Sequence, residues 1–93
     1  MKIINLTFDK LTTSLAGNAY GRQVFKKQVA EVDCDAKYEI SFPDQIELIA
    51  TSFIQGFFDE FVNIMGLEGI SNNVTIKAAG ISNIKEYVMD CLY

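Results

Sequence analysis

Histidine and tryptophan are both absent from this 93-residue chain, proline occurs once and cysteine twice. Without an imidazole there is no His-dependent nucleophilic triad, no haem held by histidine and no His-containing zinc set. Cys34 and Cys91 are far apart and form no C-x-x-C motif. That removes the dithiol redox motif and the four-cysteine zinc sites. No stretch reaches the roughly 18 consecutive apolar residues that a membrane-crossing helix needs. The opening MKIINLTF is strand-like and carries no charged leader ahead of a long apolar run. Reduced thiols and a cytoplasmic location are therefore expected, for a chain that is complete or one module of a larger protein.

Composition is that of a folded domain, with 49% hydrophobic and 22% charged residues. A single domain of this size buries roughly 60–65% of its unfolded surface. A deep cofactor cavity would leave little core, so no cofactor is expected. Twelve acidic residues outnumber eight basic ones, for a net charge of −4. Nucleic-acid binding needs clustered positive charge to replace phosphate counterions. The one basic cluster is Arg22, Lys26 and Lys27, spaced as a solvated helix face. Neither a nucleic acid nor a membrane is expected as partner.

Periodicity divides the chain into alternating elements. Ile3 to Phe8 reads as a strand, followed by a Thr/Ser/Gly/Asn loop. Tyr20, Val24, Phe25, Val29 and Val32 fall at helical spacing and predict a helix from about Asn18 to Glu31, with Gly21 weakening its first turn. Asp33-Cys34-Asp35 reads as a turn. Lys37 to Phe42 alternates, with Tyr38, Ile40 and Phe42 on one face. Pro43 places a strand end there, and Gln45 to Ile49 fits a short strand or a turn. Phe53, Ile54, Phe57, Phe58, Phe61, Val62, Ile64 and Met65 predict a largely buried helix from about Ser52 to Met65. Gly56 inside it points to close packing against a sheet, and Gly66 and Gly69 read as stop and turn signals. Asn73 to Ala78 predicts a third strand. Ile84, Tyr87, Val88, Cys91 and Leu92 predict a last helix, with Asn83 and Glu86 spaced as a capping pair and Cys91 in the core. The order is β-α-β-α-β-α, an α/β domain spanning 1–93 whose sheet has parallel neighbours and helices packed on it.

Chemistry is hinted at in one place. Thr51 and Ser52 stand where a β-rich run turns into the phenylalanine helix, in the class of loop that carries sites in such folds. Free N–H groups at a helix start favour an anion. The two hydroxyls thus read either as a phosphate-accepting or partner-docking loop, or as ordinary N-caps. Gly21 and Arg22 read as an anion or partner contact, or as plain helix surface. Asp59, Glu60 and Glu68 lack a nucleophile or base beside them and read as solvated. Asp33 and Asp35 around Cys34 miss the glycine and terminal glutamate of a calcium loop, so no metal site is assigned.

Gly21-Arg22, the I-x-x-I-A-x-S-F-x-x-G-F-F step from Ile46 to Phe58, and a closing glycine followed by Ile/Val alternation together resemble the STAS-like family. These are small bacterial and phage-borne domains, mostly of unassigned function, similar to anti-sigma-factor antagonists and sulfate-transporter tails. The likeness covers about residues 20–92 and is most specific from Ser52 to Phe58. In the antagonists the corresponding turn is Asp-Ser-Ser-Gly, and a histidine-kinase-like ATPase phosphorylates its first serine. Here that turn is Ala50-Thr51-Ser52-Phe53, which keeps two hydroxyls and loses the acid and the glycine. The resemblance implies a non-enzymatic regulatory or adaptor module that works by protein–protein contact, with such an ATPase as the implied partner.

Two other classes fit the residues. One is a phage or mobile-element accessory protein of the anti-defence type, an acidic inhibitor of a host protein. The other is a small anionic-ligand-binding domain. A strand edge left open after Pro43 would suit a homodimer.

Overall fold

A computed structural model describes all 93 residues and is an α/β domain. Three strands, β1 (Lys2–Asn5), β3 (Tyr38–Phe42) and β5 (Val74–Ala78), form a parallel sheet in the order β1-β3-β5. The alternation read in the sequence sets the register. Ile4 pairs Ile40, Ile40 pairs Ile76, and Tyr38 pairs Val74. Tyr38, Ile40, Phe42, Val74 and Ile76 all bury on one face. Glu39 and Ser41, half-buried, and Thr75 and Lys77, exposed, line the other face with Ile3 and Asn5.

The sheet advances in one direction only, so two right-handed crossovers carry their helices to the same side. The second face is accordingly polar, and an ion pair crosses it from Lys77 Nζ to a Glu39 oxygen at 3.1 Å. Two-residue strands, β2 (Ser14–Leu15) and β4 (Leu48–Ile49), make a separate parallel pair. Each lies in the connection that follows a main strand. Of the Gln45 to Ile49 segment, the last two residues are strand.

Four helices cover the buried face: α1 (Asn18–Gln28), α2 (Thr51–Phe57), α3 (Asp59–Asn73) and α4 (Ile84–Leu92). The single phenylalanine helix expected from Ser52 to Met65 is two helices. Phe58, at φ −91° and ψ 4°, leaves helical geometry between them. Across this turn Phe53, Phe57, Phe58 and Phe61 all reach zero exposure. Gly66 does leave helical dihedrals (φ 73°, ψ 169°), but the chain resumes its helix and runs to Asn73. Burial of Ile70 fixes that second piece to the core.

Gly56 packs closely, as expected, but against α1 and not against a sheet. A methyl group at Gly56 would overlap the backbone carbonyl of Asn18. On the facing helix, a methyl at Gly21 would lie 2.5 Å from the Phe53 carbonyl oxygen and 2.8 Å from the Phe57 nitrogen. The two glycines therefore let the α1 and α2 backbones cross in contact. Phenylalanine rings wedge in beside the crossing, with Phe25 edge-on to Phe57 at 6.1 Å and Tyr20 tilted on Phe53 at 5.6 Å.

Three further expectations are corrected. β3 is the central strand, paired on both sides, so no edge is open after Pro43; the free edges belong to β1 and β5. Asn83 adopts the left-handed conformation (φ 54°) and makes no side-chain cap bond, so it forms no capping box with Glu86. Cys91 is half-buried, packed against the core and not inside it.

Candidate functional site

Thr51 and Ser52 are both exposed at the start of α2. They are not its N-caps. Ala50 holds the cap position in extended geometry, with no side-chain cap bond, and the Phe53 and Ile54 N–H groups donate to its carbonyl. The hydroxyls fall one and two residues later and point to neighbouring elements. The Gly17 N–H donates to Ser52 Oγ at 3.0 Å, tying the turn before α1 to the first turn of α2. Cys91 Sγ donates to Thr51 Oγ1 at 3.5 Å, bringing the end of α4 to the same corner.

Tyr87 completes the corner. Its hydroxyl donates to the Ile49 carbonyl at 2.5 Å, pinning α4 to β4 two residues before Thr51. Burial pushes the Tyr87 phenol above the ordinary tyrosine value; a hydrogen bond with Cys91 adds to the rise and one with Thr51 opposes it. Leu48, Ile49, Ile81 and Tyr87, with Glu47 and Ser82, line a shallow groove of about 180 Å³ on this side. Leu48 is 63% exposed there. Sequence reasoning missed Tyr87 and Cys91 as partners of Thr51. They lie 36 and 40 positions away, and no local pattern connects them.

Gly21 and Arg22 lie elsewhere. The space beside Gly21 is filled by the α2 backbone, so the close approach its missing side chain allows is made by a peptide and not by an anion. Arg22 donates to Asn18 Oδ1 at 2.8 Å and pairs with Asp59 at 3.4 Å. With both partners more than a third exposed, this ion pair adds little stability. Arg22, Lys26, Asp59 and Glu60 rim a second groove of about 190 Å³, floored by Phe25 and Gly56, which includes neither Thr51 nor Ser52.

Asp33, Cys34 and Asp35 bring their ligating atoms within 4.8 Å of one another, all exposed. Asp33 Oδ1 already accepts the Asp35 N–H at 2.9 Å, the internal bond of an Asx turn. Lys85 is half-buried on α4. Its ammonium donates to the Ser71 carbonyl at 3.2 Å and to the Val74 carbonyl, closing the end of α3, and burial lowers its pKa. No helix is long and apolar enough to cross a membrane.

No protein-family model, curated protein or solved structure matches this chain.

Proposed function

We propose that this domain is a regulatory or adaptor module that acts by docking another protein at the Thr51–Ser52 corner, and that it is a STAS-like domain. The observation carrying this is the corner itself. Two exposed hydroxyls stand at a helix start that is held in place from three directions, by Gly17, by Cys91 and by Tyr87. A pre-ordered surface loses little conformational entropy on binding. Phosphate at Thr51 would place about −2 charge on it without disturbing the core.

Sheet topology supports a docking surface over a small-ligand site. Ligand crevices in open α/β sheets form where the strand order reverses. The order β1-β3-β5 has no reversal. The two grooves nearest the helix crossing and the corner, about 190 and 180 Å³, fall below the roughly 300–1,000 Å³ usual for small-molecule sites; a third, about 330 Å³ between β1 and the end of α1, lies at the bottom of that range and away from Thr51 and Ser52. The alternating elements and parallel sheet support the STAS-like reading at the level of fold class.

The test is site-specific photo-cross-linking in the native host. A photoreactive residue at position 51 should capture one protein partner, and the same residue at Asp35, on an exposed turn of the β3 side, should not. Equal capture from both positions, or none from position 51, would remove the corner from the account.

A further inference from the structure

Charge is divided unevenly along the chain. From Asp44 onward there are seven acidic residues and two basic ones, Lys77 and Lys85. Both of these cations are engaged. Lys77 pairs with Glu39 on the open sheet face, and Lys85 is turned to the Ser71 and Val74 carbonyls. The groove that includes Ile49, two residues before Thr51, is lined entirely by residues of this half. Glu47 lines it. Asp90 is exposed and three residues from Tyr87 on α4, so helical spacing puts it on the side next to Tyr87. The floor is apolar, formed by Leu48, Ile81 and the Tyr87 ring, with room for about one large side chain.

We infer that this groove receives a cationic segment of the partner protein, with one large apolar side chain seated on Leu48, Ile81 and Tyr87 and basic neighbours facing Glu47 and Asp90. The inference rests on the docking function proposed above and states the partner's chemistry. It also fixes the sign of regulation. Negative charge added at Thr51 joins an acidic rim, so phosphorylation tightens the complex by attraction. An anionic partner segment would be repelled before and after modification.

The probe is a synthetic blocked peptide, Lys-Lys-Leu-Lys-Lys, titrated into the isotope-labelled 93-residue protein and followed by two-dimensional amide NMR. The expected shifts centre on Leu48, Ile81 and Tyr87. Replacing the probe leucine by serine should weaken binding on the order of tenfold, the loss of one buried aliphatic side chain. Leu48→Ser and Asp90→Lys should each weaken it several-fold, Thr51→Glu should strengthen it, and added salt should weaken it throughout. Leu48 is exposed, so Leu48→Ser keeps the fold, and its unchanged amide spectrum confirms this. Shifts spread over the acidic surface with no dependence on the leucine would overturn the inference. So would shifts centred on the Arg22–Glu60 groove, or concentration-dependent self-association through which the basic α1 face of a second copy fills the site. A partner cross-linked at position 51 together with a silent groove would keep the docking corner and discard the cationic segment.

Discussion

Replacing Gly56 by alanine sets two physical effects against each other. Helix propensity alone favours the change, because alanine is better than glycine in a helix interior by about 1 kcal/mol. The crossing of α1 and α2 opposes it. The new methyl would overlap the Asn18 carbonyl oxygen and sit 2.9 Å from its carbon and 3.0 Å from its Cα. All three atoms belong to backbone, so no side chain can swing aside. The helices must separate. That loosens the Phe25–Phe57 and Tyr20–Phe53 contacts, which bridge the same layer. Overpacking of this kind costs about 1–3 kcal/mol, and more where the backbone is the obstacle. The net expectation is a loss of about 2 kcal/mol, a large part of the roughly 5–15 kcal/mol that holds a domain together. Gly21→Ala should cost somewhat less, because its methyl, 2.5 Å from the Phe53 carbonyl oxygen, overlaps the facing backbone less deeply. The double variant should cost less than the two single losses added together, since one separation of the helices relieves both clashes. Urea unfolding followed by far-ultraviolet circular dichroism measures all three. A Gly56→Ala protein as stable as the parent, or more stable by the propensity gain, would refute the crossing.

Three other outcomes are expected. Ala30 sits at φ 72°, with its N–H and that of Val29 both donating to the Phe25 carbonyl at 2.8 Å; Ala30→Gly should stabilise by about 0.5–1 kcal/mol in the same urea assay, and Ala30→Val should destabilise. Ser52→Ala removes the bond from the Gly17 N–H and should cost about 0.5–1.5 kcal/mol, whereas Thr51→Ala, which gives up only a weak thiol contact, should stay within about 0.5 kcal/mol of the parent. The Tyr87 phenol keeps its proton longer in the fold than in the unfolded chain, so its share of stability is full below pH 10 and is lost as pH rises through the raised value. Lys85 acts in the opposite sense, its lowered pKa making stability rise as pH approaches 10.5. A Tyr87→Phe protein keeps only the second effect, so its stability should hold up better than the parent's above pH 10 in a pH series of urea titrations; equal slopes would contradict the assignment.

The main strands and helix faces were legible because their signals are local. Tyr38, Ile40 and Phe42 alternate and bury together, and Val74 and Ile76 do the same. What escaped depended on contacts distant in sequence. β2 and β4 are two residues each and exist only by pairing with one another. The break at Phe58 interrupts an apolar spacing that reads as one continuous helix. Gly66 carried a true backbone signal, but Ile70 draws the following residues back into a helix against the core. The glycines at 21 and 56 each announced a close approach, and only the fold shows that they face one another. At the candidate site the hydroxyls were found from sequence. Their partners Gly17, Tyr87 and Cys91 were not, and neither was the shift of the cap to Ala50.

The most direct test of the docking corner is quantitative affinity purification from the native host with the parent protein and the Thr51→Arg variant side by side, after amide spectra have shown that both are folded. The account predicts one protein recovered in near-stoichiometric amount with the parent and strongly depleted with the variant. Equal recovery of the same partner by both would contradict it.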